Sequence, residues 1–75
     1  MSSKLPVVDE AAVVRVLKRA GFELEHINGS HHIMRNPDGR KSSVPIHAGK
    51  TLRRGLLASI LKDDRLSVEE FRQFL

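Results

Sequence analysis

Residues 22–46 read FELEHINGSHHIMRNPDGRKSSVPI, and this stretch decides the fold. Apolar and polar side chains alternate from Phe22 to Ile27, which is the two-residue period of a half-buried strand. Asn28-Gly29 follows, and both residues tolerate the positive φ of a tight type I′ turn. The sequence therefore predicts a β-hairpin whose second strand covers residues 30–35.

A second turn follows the hairpin. Asn36-Pro37-Asp38-Gly39 has proline at its second position and glycine at its fourth, as β-turns favour. Residues 40–46 are expected to return as a third strand. Because Pro45 has no N–H to donate, that end of the strand must lie at a sheet edge or terminus. The stretch thus predicts a three-stranded antiparallel meander.

Helical periods flank the meander on both sides. Over residues 9–20, apolar residues recur at helical spacing behind Asp9, a good N-cap, and Gly21 can end the last turn. After a predicted loop at residues 47–50, leucines and an isoleucine recover helical spacing over residues 52–63. Gly55 is an alternative start for this second helix.

A short helix is expected to close the chain. Ser67-Val68-Glu69-Glu70 fits a capping box, and the helix behind it is expected to bury Phe71 together with Phe74 or Leu75. The predicted fold class is α+β, an α-β-β-β-α domain with a three-stranded antiparallel sheet and a short C-terminal helix. Two helices can cover one face of such a sheet and leave the other face to display function.

Length and composition limit the possibilities further. Seventy-five residues allow one domain, residues 1–75, of which residues 1–8 are expected to be loosely ordered. The absence of cysteine excludes disulfides and thiolate zinc sites and permits a reducing cytoplasm. No apolar run approaches the roughly 20 residues of a membrane span, and residues 1–6 lack a signal-peptide core. We therefore expect a soluble, cytoplasmic protein with no membrane contact.

Basic charge is concentrated in the middle of the chain. The formal net charge is +4, yet residues 26–62 contain seven Lys or Arg and one Asp, which is +6 for that stretch. This asymmetry suggests a polyanionic partner, although a solvated basic surface would give the same pattern. With three Phe and no Trp or Tyr, the chain lacks an aromatic platform for stacking single-stranded bases. A basic αβββα domain is closer to a double-stranded-RNA-binding shape.

Four histidines are the main candidates for chemistry. His31 and His32 are adjacent in a strand and should point to opposite faces, so they are poorly placed to share a metal ion, and we predict no metal site. An imidazole has an ordinary pKa of about 6.5 and can deprotonate the 2′-hydroxyl of RNA for attack on the neighbouring phosphate. Nearby cations would stabilise the charge that develops. The alternative is that one histidine packs on the core and the other is an inert surface residue.

Several segments, taken in order over about residues 10–62, resemble the HicA family of bacterial toxins. The hairpin with its Gly-Ser-His pattern and the Val-Pro-Ile-His segment are the most specific parts of the resemblance. The segments are Leu17–Phe22, Gly29–Ile33, Asn36–Arg40, Val44–His47, Gly49-Lys50 and Leu56–Lys62. Two departures are visible: the usual Ala-Gly after the second helix is replaced here by Asp64-Arg65, and the first seven residues have no counterpart.

The resemblance implies a toxin of a type II toxin–antitoxin system, a metal-independent mRNA interferase with no cofactor. A HicB-like antitoxin would neutralise it in a hetero-oligomer. The active histidine would lie in the hairpin strand, with His31 as first candidate and His32 as second. Gly29 and Gly39 would be turn residues, and the RNA-binding side chains would be Ser30, Arg35, Arg40, Lys41, Lys50, Arg53 and Arg54. A non-catalytic RNA-binding or adaptor module is the alternative.

Overall fold

The computed structural model describes residues 5–46 and 51–75 and confirms the predicted α+β architecture. The strands form one antiparallel sheet in the order β1-β2-β3. The elements are α1 (Glu10–Arg19), β1 (Glu23–Asn28), β2 (His31–Arg35), β3 (Lys41–Pro45), α2 (Arg54–Asp64) and α3 (Val68–Phe74). The predicted loop at residues 47–50, and Lys50 with it, lies outside the described residues.

The second predicted turn is confirmed, whereas the first is formed by Gly29-Ser30. It is not the predicted type I′ turn of Asn28-Gly29, since Asn28 pairs with His31 as the last residue of β1 and only Gly29 has positive φ. Gly29 has φ of 62° between β1 and β2, and Gly39 has φ of 101° between β2 and β3. In the second turn, the Gly39 N–H donates to the Asn36 carbonyl oxygen at 2.9 Å. Residues with a Cβ atom rarely adopt positive φ. Glycine at these two positions therefore lets the chain reverse twice within a short span.

The predicted starts of α1 and α3 are confirmed, whereas α2 begins at Arg54, between the predicted start at residue 52 and the alternative start at Gly55. The Asp9 carboxylate accepts a hydrogen bond from the Ala12 N–H at 2.8 Å at the start of α1. Ser67 and Glu70 form the reciprocal capping box at the start of α3. Each cap satisfies amides that would otherwise lack an intrahelical partner, so the sequence positions both starts.

The hydrophobic core lies between the helices and one face of the sheet. α1 and α2 both pack against β3, and Phe71 of α3 is fully buried while Leu75 is 43% exposed. Phe74, by contrast, is partly buried against the core. The core residues are Val13, Val16, Leu17, Phe22, Met34, Val44, Leu52, Leu57, Ile60, Leu61, Leu66 and Phe71.

β1 departs from the prediction of a half-buried strand, because all six of its residues are exposed. α1 and α2 both pack against β3, and α1 contacts part of β1 without covering its side chains. Glu25 is also an extra residue in a β-bulge, where the register shifts between Leu24 and His26. The apolar side chains of β1 are therefore left at the margin of the core.

Both helices begin at the same end of the sheet. The carbonyl oxygens at their C-terminal ends, of Ala20 and Asp64, accept hydrogen bonds from Asn36 and Arg40. Those two residues flank the β2–β3 turn, so the helix N-termini lie toward the opposite end, where the β1–β2 turn and the end of β3 meet. We call this the hairpin end of the sheet.

The segment before α1 is attached to the rest of the domain. Leu5 and Val8 pack against the core, and the Leu52 N–H donates to the Val8 carbonyl oxygen at 2.9 Å. Residues 5–8 therefore contact the core, while residues 1–4 lie outside the described part of the chain. None of the helices in the described ranges has the length and apolar character that crossing a membrane requires.

Candidate nucleic-acid interface

The hairpin places the two adjacent histidines on opposite faces of the sheet. His31 lies opposite Asn28 and Pro45, and His32 lies opposite Ile27 and Val44. Val44 is fully buried beneath the helices, and directly opposed residues of antiparallel strands share a face. His32 is therefore on the helix-covered face and His31 on the open face.

The surroundings of the two imidazoles differ accordingly. His31 is exposed, whereas His32 is half-buried. The Nδ1 atom of His32 is shielded from solvent, and no described residue hydrogen-bonds to it. Because buried polar atoms are normally paired, this nitrogen is the one polar feature of the hairpin that packing alone does not explain.

Positive charge at the hairpin end comes from the start of α2. Helix N-termini carry partial positive charge, but that of α1 is offset by the Asp9 carboxylate that caps it and by Glu10 in its first turn. The N-cap of α2 is Arg53, which makes no side-chain cap hydrogen bond with the described residues, and the first turn of α2 has no acidic residue. Arg53 and Arg54 are both exposed. This end of the domain is suited to attract an anion.

Arg35 and Lys41, two predicted RNA contacts, lie at the other end of the open face. They are directly opposed in the β2–β3 register, about 13 Å along the strand from His31. The Glu25 carboxylate lies 3.6 Å from Arg35 Nε and 4.0 Å from Lys41 Nζ. The two cations therefore share one acid and are not grouped with the histidines.

Arg40 is engaged within the domain. Its Nε donates to Asp38 Oδ2 at 2.8 Å, its Nη1 donates to the Asp64 carbonyl oxygen at 2.8 Å, and its guanidinium stacks over Phe22 at 5.2 Å. Only 18% of the side chain is exposed. Arg40 therefore fastens the β2–β3 turn to the end of α2, a role that its position in a basic run does not reveal.

Ser30 is exposed in the hairpin turn, and its carbonyl oxygen accepts a hydrogen bond from the Ile46 N–H at 2.6 Å. This bond joins the end of β3 to the hairpin and fixes the exit of the chain toward α2. In the part of the chain that the structure describes, no three side chains of the metal-ligating types come together. Of the other predicted contacts, Ser30 lies in the hairpin turn, and Arg53 and Arg54 lie at the start of α2.

Asp64 is a buried acid that sequence reasoning placed only at a helix end. Its side chain is fully buried, and neither oxygen makes a well-formed hydrogen bond with a described residue. Burial raises the pKa of Asp64 to about 6, repulsion from Asp63 adds to the rise, and the nearby Ser42 hydroxyl and Arg40 oppose it. Asp64 lies far from the hairpin end, so it concerns stability more than chemistry.

Comparison with known proteins identifies one family. A family model described as the HicA toxin of bacterial toxin–antitoxin matches residues 11–66. This range contains both helices that face the sheet, all three strands and both hairpin histidines. A search of curated proteins finds no match.

Proposed function

Since the match over residues 11–66 shows that this chain belongs to the HicA toxins of bacterial toxin–antitoxin systems, we propose that it is a metal-independent endoribonuclease. It cleaves mRNA through a single histidine and thereby inhibits translation and growth. Its substrate places the activity in the cytoplasm, and a HicB-like antitoxin holds it inactive in a hetero-oligomer.

The reaction needs few groups. An imidazole removes the proton of the RNA 2′-hydroxyl, the resulting oxygen attacks the adjacent phosphorus to form a 2′,3′-cyclic phosphate, and the bond to the 5′-oxygen breaks as that oxygen takes the proton back from the imidazolium. Negative charge on the phosphate oxygens grows as the bond forms, and fixed positive groups stabilise it. Arg53, Arg54 and the N-terminal end of α2 supply such groups at the hairpin end.

The observation that carries the proposal is the half-buried His32, whose Nδ1 is shielded from solvent on the helix-covered face. A base that transfers a proton must be held in place, and His32 is held between Ile27 and Val44 on the helix-covered face. His31 is exposed on the open face, where the nearest described cations of the sheet share Glu25. These surroundings support His32 as first candidate and His31 as second, the reverse of the order that the resemblance implies.

Alanine substitutions separate the two candidates. We expect His32→Ala to lower the rate of RNA cleavage by about 10²–10⁴-fold, as loss of a general acid–base group does, and to end growth arrest. His31→Ala is expected to keep most activity. His26→Ala is the matched control, because His26 is another exposed histidine of the same hairpin. Circular dichroism checks that each variant is folded.

The outcomes distinguish the alternatives. Loss of cleavage in His31→Ala alone would assign the chemistry to the open face. Unchanged cleavage in the double variant would refute a histidine mechanism, and inhibition by EDTA would refute metal independence. RNA binding without cleavage at any protein concentration would instead identify a non-catalytic RNA-binding module.

A further inference from the structure

A shallow surface cleft lies where the segment before α1 runs beside the start of α2. Its volume is about 400 Å³, within the range of about 300–1,000 Å³ that small-molecule sites occupy. The lining residues are Val7, Thr51, Leu52, Arg53 and Arg54. The Leu52 N–H donates to the Val8 carbonyl oxygen at 2.9 Å, and Asp9 forms a bridge with Thr51. Backbone pairing between two distant parts of the chain therefore holds the cleft in shape.

The lining combines apolar and cationic side chains. Val7 is 59% exposed, and the antiparallel register of the bridge places it opposite Arg53. Leu52 is buried in the core and closes the cleft on its inner side. A flat ring can stack on a guanidinium plane and pack on an apolar side chain. The cleft is therefore suited to a planar ligand.

The charge of the cleft favours a ligand that is also anionic. Arg53 and Arg54 are exposed and form no ion pair or side-chain hydrogen bond with residues 5–46 or 51–75. No acid is among the described lining residues. Asp9, the acid of the neighbouring bridge, directs its carboxylate to the Ala12 N–H at the start of α1. A ligand that joins a negative group to a flat ring matches this lining, and a nucleotide has that chemistry.

The cleft lies near the hairpin. The Ile46 N–H is bonded to the Ser30 carbonyl oxygen in the hairpin turn, and Thr51 follows Ile46 by five residues. Five residues of chain span at most about 18 Å. One strand of RNA can therefore contact the hairpin and occupy the cleft at the same time.

We infer that this cleft binds one nucleotide of a single-stranded RNA substrate. The base packs on Val7 and stacks on the Arg53 guanidinium, and the Thr51 hydroxyl bonds to a polar atom at the edge of the base. Arg54 binds the neighbouring phosphate. The inference rests on the proposed function in taking RNA as the ligand. It adds that the substrate is unpaired at this position, because only an unstacked base offers its face to a side chain.

The test measures the affinity of the full chain for RNA that it cannot cleave. The first probe is an RNA of about eight nucleotides with 2′-O-methyl groups, which lacks the attacking hydroxyl, and the second is the same backbone without bases. Arg53→Lys keeps the charge and removes the planar group. It should weaken binding of the first probe about fivefold or more and binding of the second by less than about twofold. Val7→Ser should weaken binding of the first probe about threefold or more.

Fluorescence anisotropy gives these affinities, and two variants near the C-terminus are the matched controls. Arg72→Lys changes an exposed arginine of α3, and Leu75→Ser changes an exposed apolar side chain. Both should bind the first probe within about twofold of the parent. In methyl NMR spectra of the unsubstituted protein, the first probe should move the Val7 signals more than those of Leu75, because a ring shifts the signals of the atoms beneath it.

Four results overturn the inference. Cleft variants that bind the first probe like the parent, or Val7 signals that do not move, show that no base enters the cleft. Equal weakening of both probes makes the cleft a phosphate contact only. A free mononucleotide that binds as tightly as the first probe assigns the cleft to small nucleotides. Variants that lose affinity for the protein encoded by the neighbouring gene, and not for RNA, assign it to the antitoxin.

Cleavage of ordinary RNA is measured separately and distinguishes this inference from the ribonuclease. Cleavage that depends on His32, together with affinities that ignore Val7→Ser and Arg53→Lys, refutes the nucleotide cleft and keeps the ribonuclease. Binding that depends on the bases and on both cleft residues, in a protein that cleaves no RNA, refutes the ribonuclease and keeps the cleft.

Discussion

Asp64 shows how one buried group can set the pH dependence of a small domain. Its carboxyl group has no well-formed hydrogen bond to a described residue and lies at the C-terminal end of α2. Negative charge is disfavoured at a helix C-terminus, and desolvation adds to that cost. The protonated form is therefore the better fit to the folded protein.

We predict that Asp64→Asn makes the protein more stable near neutral pH. Burial raises the pKa of Asp64 from 3.8 to about 6 in the folded protein, so the folded state binds this proton more tightly than the unfolded state. The free energy of unfolding should thus be largest below pH 3.8, fall as the pH rises toward 6, and level off above that value. The neutral amide removes this loss and should add about 1–2 kcal/mol at about pH 7.5.

Urea unfolding at about pH 4 and about pH 7.5 measures the effect. Asp63→Asn is the control, because Asp63 is the exposed neighbour and carries the same charge. A variant that follows the pH dependence of the parent, or that is less stable at the higher pH, would refute the role of Asp64.

The limits of the sequence are clearest at single residues. Alternation within a strand predicts that His31 and His32 point to opposite faces, but which face the helices cover depends on packing between distant segments. In the sequence, Arg40 is only one cation of a basic run. In the structure it contacts Asp38, Asp64 and Phe22. Local signals such as the caps and the second turn were predictable because their partners lie within three residues of each other.

At the level of elements, one left-handed residue ends α2. Arg65 has φ of 56°, and its N–H bonds back to the Lys62 carbonyl oxygen as the helix terminates. Glycine usually occupies such a position, because a Cβ atom makes the left-handed conformation costly. The Asp64-Arg65 pair, a departure from the family's usual Ala-Gly, therefore keeps the geometry of the turn without the residue that favours it.

We predict that exchanging residues at these two positive-φ positions, Arg65 and Gly29, changes stability in opposite directions. Arg65→Gly should stabilise the domain by about 0.5–1 kcal/mol, and Gly29→Ala, at φ of 62°, should destabilise it by about 1 kcal/mol. A Cβ at Gly29 would meet no atom within 4 Å, so its cost comes from the backbone alone. Thermal and urea unfolding measure both, and changes of the same sign would contradict the backbone explanation.

The sheet explains why β1 was mispredicted. Its alternating pattern predicted the correct element, yet burial requires a helix above the strand. Sequence periodicity carries no information about which strand a helix will cover, and all six residues of β1 are exposed.

Over the whole molecule, basic and balanced surfaces are separated. The hairpin end combines the N-terminus of α2 with Arg53 and Arg54, whereas Arg35 and Lys41 at the far end of the sheet share Glu25. The net charge of +4 is therefore unevenly distributed. The positive electrostatic potential is stronger at the hairpin end and weaker at the end that holds Arg35 and Lys41. RNA should be drawn to the hairpin end first.

The salt dependence of RNA binding measures this separation. Each phosphate contact that releases a counterion changes the slope of log affinity against log salt by about 0.7–0.9. The measurement uses a variant with alanine at His31 and His32, which prevents cleavage. In that variant, adding Arg53→Ala and Arg54→Ala should reduce the slope by about 1–2. Arg35→Ala should change it much less, because Glu25 already neutralises that guanidinium. Fluorescence anisotropy with a single-stranded RNA at several salt concentrations gives both slopes, and an equal reduction by Arg35→Ala would mean that RNA also binds across the open face.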